Sequence, residues 1–484
     1  MTPFLILSIF LVYTIILFII TWITSRKADH QTYFVGNRIS PWYVVAYGMI
    51  GASLSGVTFM SVPGWVKDTQ FSYLVIVMGY LAGYFVIATV LLPLYYRMNL
   101  TSIYTYLEHR FGFWTYKTGA GFFILSRTLG ASLRMFLVVN VLHVFVFESW
   151  GVPFWVSVLI FIALIILYTF KGGIRTIVWT DTLQTTFMLL AVVLTILFIS
   201  RDLNMGLGDM VRAVVSSDVS RIFVWDWQEK NYFWKNLLGG AFIAIAMTGL
   251  DQEMMQKNLS CRNLREAQTN MFTFSGSLVV VNTLFLFLGS VLLIYAGTHS
   301  VQVASTDDLF PAIALRHLSP LAGIVFLIGL ISAAYPSADG ALTSLTTSFC
   351  IDFLGFDKMV NRTDRQKMII RYTVHISIAL VFLAVIIIFR SLDNKAVIDK
   401  IFTIAGYTYG PLLGFYGFGL FTKKTVRDRL VPVVAIVSPL ICMLVSYTSP
   451  RWLFGYHFGF ELLLLNGLIT FLGLMMISKN GRSS

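Results

Sequence analysis

Apolar runs long enough to cross a lipid bilayer recur along almost the whole chain, and they leave few folds open to it. A hydrocarbon layer about 30 Å thick takes roughly 20 consecutive apolar residues per helical crossing, and reading the chain at that length gives about 13 candidate spans. They are Phe4–Thr24, Trp42–Val62, Tyr73–Tyr96, Gly119–Phe147, Phe154–Phe170, Ile177–Ile199, Phe233–Met255, Met271–Ala296, Leu318–Phe349, Met368–Phe389, Ile401–Phe421, Leu430–Tyr447 and Gly459–Ile477. In lipid every backbone N–H and C=O must be satisfied inside the chain, so such runs form helices. The expected class is an all-α integral membrane protein. Only 12% of the residues are charged, about half the share in soluble domains, and the lipid bilayer is the first partner this implies.

The formal net charge is +12. A basic chain raises the question of nucleic acid, but there is no Lys/Arg-rich tail and no separate polar domain, so no nucleic-acid partner is expected. The excess fits cytoplasmic loops instead. With the N-terminus outside and the C-terminus cytoplasmic, the inner loops hold Arg26, Lys27, Arg38; Arg97, Arg110, Lys117; Lys171, Arg175; Lys257, Arg262, Arg265; Lys358, Arg362, Arg365, Lys367; Lys423, Lys424, Arg427, Arg429; and Lys479, Arg482. That is about 21 cations against roughly 10 outside, the positive-inside pattern of a multi-pass protein of the inner (plasma) membrane. Met1-Thr2-Pro3 lacks the basic start of a signal peptide, and Phe4–Thr24 exceeds a signal-peptide core, so it reads as a retained span. Cys261, Cys350 and Cys442 show no metal-ligand or disulfide spacing.

Two spans are diluted. Gly51-Ala-Ser-Leu-Ser-Gly56 interrupts the second, and Gly239-Gly240 with Thr248-Gly249-Leu250-Asp251 the seventh. Each opens a group of five, and paired interrupted helices at matching places in two halves point to a transporter's midplane site. The expected organisation is an extra helix and loop over 1–41, five helices over 42–200, an outer loop over 201–232, five helices over 233–421 and two C-terminal helices over 422–484. The polar stretch Arg201–Glu229 is expected to hold a short surface helix.

A charge at mid-bilayer costs about 2.5–3.5 kcal/mol on insertion scales, so buried ionisable groups are suspects for function. Asp181, at the start of the sixth span, is either a helix-start acid favoured by the dipole or an oxygen ligand for a cation. Asp339 lies in Ser332-Ala-Ala-Tyr-Pro-Ser-Ala-Asp-Gly340 and needs a partner or a cation. The surrounding hydroxyls are mostly accounted for by close helix packing and bonds to their own i−4 carbonyls. Pro336 removes a backbone donor and frees a carbonyl one turn back; freed carbonyls with hydroxyl and carboxylate oxygens suit a hard cation. Ser53, Ser55 and Thr58 accompany the Gly51–Gly56 interruption, which is an unwound segment or a packing kink. Arg134 cannot lose its charge and must find an anion, either Asp181 or Asp339, or a substrate carboxylate. Arg127 reads as a surface or structural group, His143 and His375 as packing groups, and Asp251 and Glu253 as solvated or paired near Lys257. Tyr80, Tyr335 and Tyr407 are candidate pocket walls. No phosphate loop, zinc-protease pair or nucleophile elbow occurs, so neither a nucleotide-driven pump nor an enzyme is expected.

At these residues the chain resembles the sodium:solute symporter family. The most specific match is Gly172-Gly173-x-Arg175-x-x-x-Trp179-Thr180-Asp181-x-x-Gln184-x-x-x-Met188. Tyr106-Leu107-Glu108-x-Arg110-Phe111-Gly112, Asp251-Gln252-x-x-x-Gln256-Lys257-x-Leu259 and Gly410-Pro411-Leu412-Leu413-Gly414 support it. The resemblance implies a five-plus-five inverted-repeat core of the LeuT type, alternating access, and symport of Na+ with a small organic solute. It maps the family's main sodium site to Gly51, Leu54, Ala333, Pro336 and Ser337, with Pro336 standing where one hydroxyl is usual. A further site found in some members maps to Asp181, Asp339 and Gly340, with a carboxylate where a hydroxyl is usual, which leaves the sodium count open. Resemblance to the sialic acid carriers maps a substrate-carboxylate clamp to Ser55, Thr58 and Arg134 and favours an organic acid as substrate. The alternatives are a neutral sugar or other small metabolite, proton instead of sodium coupling, and a transporter-like membrane sensor. The short tail Ser478–Ser484 argues against the sensor.

Overall fold

A computed structural model of the chain describes residues 3–24, 30–359, 361–391, 397–453, 456 and 458–479. Arg26, Lys27 and Arg482, counted above among the loop cations, lie outside the described residues, as do Met1 and Thr2. The principal helices are α1 (Pro3–Thr24), α2 (Trp42–Thr69), α3 (Tyr73–Val86), α4 (Phe113–Leu142), α5 (Phe154–Asp202), α6 (Leu207–Val215), α7 (Phe233–Ala244), α8 (Gln252–Leu259), α9 (Leu264–His299), α10 (Pro320–Ser348), α11 (Asp364–Arg390), α12 (Val397–Thr408), α13 (Gly410–Phe421), α14 (Val431–Trp452) and α15 (Leu462–Met476). Among the described residues the only sheet is a two-residue pairing of Thr425–Val426 with Ser478–Lys479. The fold is all-α and membrane-spanning, as the apolar runs require.

Among the described residues eight helices are long and apolar enough to cross a membrane, or nine when the bent pair Phe233–Gly249 and Gln252–Leu259 counts as one. The expectation of about 13 exceeds this for a physical reason. Phe154–Phe170, Gly410–Phe421 and Leu462–Met476 are apolar but shorter than a full crossing, and residues 42–97 form one apolar stretch. The fifth and sixth candidate spans belong to a single 49-residue helix, α5, which breaks at Gly173. Gly173 has φ +52°, and any side chain there would collide with Tyr33, so glycine is the residue the break permits. The surface helix expected in the outer loop is α6; it buries Met210 and Val214 and exposes Leu207, Val211 and Val215.

Both diluted spans are interrupted. In α2 the backbone turns at Ser55, with φ 54° and ψ 173° inside an otherwise helical run. In the seventh candidate span the chain bends by 65° between the Phe233–Gly249 segment and α8. A left-handed residue inside a helix aims the flanking carbonyls off the axis, which a lipid-facing helix does not tolerate and a cavity-lining one does.

α10 is the hub. It packs against α5, α2, α4 and α1, and every residue from Gly329 to Ser348 is buried. This stretch carries seven Ser or Thr residues and Asp339, so it is polar and buried at once. The outward faces are the reverse: Val433, Leu440 and Leu444 of α14 and Phe4, Val12 and Ile15 of α1 are exposed apolar side chains, as lipid requires. The three cysteines are free and buried.

Small residues set the closest approach, between α3 and α7. A side chain on Gly79 would collide with the Leu237 carbonyl, and one on Gly240 with the Ile76 carbonyl; reciprocal glycines of this kind let two backbones touch. Gly276 on α9, by contrast, faces open space. Gly240→Val is therefore expected to lower stability by about 1–3 kcal/mol through overpacking, while Gly276→Val stays within about 0.5 kcal/mol; thermal unfolding of the two variants in detergent tests the difference.

Candidate functional site

The break in α2 opens onto a cavity between α2, α3, α4 and α7. Ser55 and Thr58 line it from α2, Arg127 and Arg134 from α4, and Tyr80 and Tyr84 from α3; Thr248 and Asn282 complete its polar wall. Arg127 and Arg134 are seven residues apart, two helical turns, so both project from one face of α4. Of the expected aromatic walls Tyr80 is present, and Tyr73 and Tyr84 join it. Tyr335 and Tyr407 are not among the lining residues; Tyr335 packs against Phe10, Tyr13, Phe161 and Tyr168.

Arg134 does not pair with Asp181 or Asp339. No carboxylate of the described residues lies within ion-pair distance of it, and both acids have other partners. The guanidinium lines the cavity with no carboxylate in contact with it. Arg127, read from sequence as a surface or structural group, is buried. It makes a direct ion pair with Glu253 and a second contact of 3.6 Å with Asp251.

Arg127 begins a line of alternating charges. Glu253 also faces Lys257, Oε1 to Nζ at 3.5 Å, and Lys257 Nζ donates to Asp181 Oδ2 at 2.7 Å. The sequence Arg127–Glu253–Lys257–Asp181 thus runs from α4 through α8 to α5. All four side chains are buried, Lys257 with 1% of its surface exposed. Lysine almost never buries without a partner; here it has two. Asp251 caps α8 by accepting from the N–H groups of Glu253 and Met254 and takes a 2.6 Å bond from the Tyr409 hydroxyl. The carbonyls exposed at the bend are also satisfied: Tyr95 donates to Gly249 and Tyr104 to Leu250.

The break at Ser55 is less fully satisfied. Of the residues mapped to a cation, Ala333 lies against α2, since a Cβ on Gly56 would be in contact range of its carbonyl, and Gly51 faces α5, donating its N–H to Thr185 Oγ1 at 3.1 Å. Ser337 Oγ is buried and has no hydrogen-bond partner among the described residues. An unpartnered buried hydroxyl is one of the oxygen ligands a hard monovalent cation takes. Asp339 differs: the Tyr168 hydroxyl donates to Oδ2 and the Gly340 N–H to Oδ1, each at 2.5 Å. His143 bonds Ser157, and His375 bonds Thr169 and Thr346, so both are packing groups as expected.

Sequence reading missed Lys257 as the partner of Asp181, and Tyr168 as the partner of Asp339. Lys257 was assigned to an inner loop because it follows a diluted span; its place in Gln256-Lys257 beside two acids was the available signal. Tyr168 carried none, since a tyrosine in an apolar run looks like packing.

Breaking a buried pair leaves an uncompensated charge, at about 3–5 kcal/mol. Arg127→Met is expected to destabilise by that amount, and adding Glu253→Gln to recover part of it, because the second change removes the stranded carboxylate. Thermal or denaturant unfolding of the single and double variants measures the coupling.

Comparison with known proteins agrees with this architecture. The chain is 24% identical over 463 residues to the sodium/sialic acid symporter SiaT of Proteus mirabilis, covering 93% of this chain and 91% of the relative. It is 23% identical over 465 residues to the sodium/sialic acid symporter NanT of Aliivibrio fischeri, covering 93% and 89%. Among solved structures, a substrate-bound, outward-open Na+-coupled sialic acid symporter superposes with TM-score 0.82 at 20% identity, covering 98% of this chain and 99% of that one. Mhp1, a nucleobase-cation-symport-1 family transporter, superposes with TM-score 0.54 at 14% identity, covering 93% and 94%. These likenesses establish a shared LeuT-type transporter fold. The sequence model of the sodium:solute symporter family matches residues 33–428, and the chain belongs to that family.

Proposed function

We propose that the chain couples the import of a carboxylate-bearing solute, of the sialic acid class, to sodium. The observation that carries this reading is Arg134, a permanent cation facing a cavity with no carboxylate of its own to neutralise it. A guanidinium held in that way binds a carboxylate in bidentate fashion. Ser55 and Thr58 line the same cavity and supply hydroxyl donors for the remaining carboxylate lone pairs. Two relatives named as sodium/sialic acid symporters, each aligned over 93% of this chain, support the class of substrate.

The sodium ion is assigned to the junction of α2 and α10: the carbonyls of Gly51, Leu54, Ala333 and Pro336 with the unpartnered hydroxyl of Ser337. This site lies on the helix whose break bears Ser55, so cation and solute fix the same segment. Each then binds better when the other is present, without direct contact. The ten candidate spans over 42–200 and 233–421 are read as two inverted halves, with the spans of 1–41 and 422–484 outside the core. The positive loops favour an inner-membrane protein with its N-terminus outside and its C-terminus in the cytoplasm.

Uptake into proteoliposomes tests the reading. Labelled N-acetylneuraminic acid is expected to accumulate with external sodium and not with choline. Arg134→Ala is expected to weaken its binding by about 2–5 kcal/mol, roughly 30- to 4,000-fold in apparent affinity, with Arg134→Lys between the two. Sodium-driven uptake of a neutral hexose that survives Arg134→Ala would keep the symporter and remove the clamp. Ser337→Ala is expected to raise the sodium concentration needed for half-maximal uptake without changing solute selectivity.

A further inference from the structure

The Asp181 carboxylate already has a cation in contact with it, and that cation is part of the chain. Lys257 Nζ lies 2.7 Å from Asp181 Oδ2 and 3.5 Å from Glu253 Oε1, fully enclosed. An alkylammonium is a compact monovalent charge that seeks oxygen, so it meets the electrostatic demand that a sodium ion would meet there. The neighbouring volume is filled as well. A side chain at residue 340 would collide with the Glu253 carboxylate, so Glu253 occupies the space next to Asp339 that a larger residue would take. Asp339 has its own donors in Tyr168 and the Gly340 N–H.

We infer that Lys257 is a tethered cation filling the pocket formed by Asp181, Glu253 and Asp339, and that the chain therefore binds one sodium ion fewer than these carboxylates could hold. Removing the ammonium turns the pocket into a sodium site. Two buried oxygens, Asp181 Oδ1 and Glu253 Oε1, have no hydrogen-bond partner among the described residues and stand ready as ligands. The charge balance pulls the same way. Among the described residues the ion pairs of Asp181, Asp251 and Glu253 go to Arg127 and Lys257 alone; without Lys257, Asp181 keeps no ion-pair partner, and a buried charge without a partner recruits one or unfolds the site.

The inference rests on the symport reading only for where any other sodium binds. Its test needs no transported solute. Thermal stability of the purified full chain is titrated with sodium chloride against choline chloride at fixed ionic strength, and the slope against the logarithm of sodium concentration gives the number of ions bound by the folded state. Lys257→Gln is expected to bind one sodium more than the natural chain, and Lys257→Gln with Asp181→Asn to return to the natural count. Asp181→Asn alone is expected to keep the natural count, since Lys257 already occupies that carboxylate. An unchanged count in Lys257→Gln, or the loss of one sodium in Asp181→Asn, would overturn the inference. If Lys257→Gln folds only with sodium present, that dependence is itself the gained site; if it folds in neither salt, the Asp181→Asn count decides. A natural chain with no sodium response, beside a Lys257→Gln variant that gains one, would leave this inference standing and remove the sodium site proposed at α2 and α10.

Discussion

A carboxylate shut away from water must find a cation or hydrogen-bond donors, and for Glu253 and Asp181 the line Arg127–Glu253–Lys257–Asp181 supplies the cations. It crosses from α4 through α8 to α5, three helices far apart in sequence, and fixes them at the level of the cavity. Each member is costly to bury alone and tolerable only in place. A network of this kind is intolerant of half-measures: a small displacement of α8 strands charges at both ends. The cluster thus ties α4, α8 and α5 together as a latch.

The two helix breaks divide the labour. At the bend before α8 the loosened carbonyls are met by Tyr95 and Tyr104, and Asp251 caps the new helix. At that bend the Gly249 and Leu250 carbonyls both have donors. At Ser55 the hydroxyl of Ser337 stays without a partner, and the cavity beside it presents Arg134 uncompensated. On the proposed reading, the unpartnered Ser337 hydroxyl takes part in holding an ion, and Arg134 holds an organic anion.

The architecture was legible in the sequence because lipid makes periodicity almost irrelevant: hydropathy and length alone place helices, and glycine-rich dilution marks the breaks at Gly51–Gly56 and Thr248–Asp251. The span count was harder, since Phe154–Phe170 and Gly410–Phe421 are apolar yet short, and α5 runs through two candidate spans with only Gly173 to divide them. Arg134 was legible as a charge needing an anion, but its partner was not; Asp181 and Asp339 were equally plausible until the fold gave each another neighbour. Lys257 was read as a loop cation. A lysine at a diluted helix end is ambiguous between snorkelling to water and turning inward, and only the positions of Asp181 on α5 and Glu253 on its own helix decide it. Glu253 lies one turn before Lys257 and is a local sign, whereas Asp181 lies 76 residues away and leaves none.

A fixed ammonium in the core has a consequence for what drives transport. A sodium ion entering down a tenfold gradient yields about 1.4 kcal/mol, and its charge moving through 100 mV adds about 2.3 kcal/mol. A monocarboxylate carried with it cancels that charge. With one sodium ion the cycle moves no net charge, the membrane potential drops out, and accumulation is limited to the sodium ratio itself, about tenfold. A second sodium in place of Lys257 would restore one net positive charge and about 3.7 kcal/mol per cycle, but that ion would have to be released into the cytoplasm on every turn. Lys257 cannot leave. The chain gives up driving force and, in return, keeps the Asp181 carboxylate neutralised through every state of the cycle, so the latch to Glu253 and Arg127 does not depend on how much sodium is present.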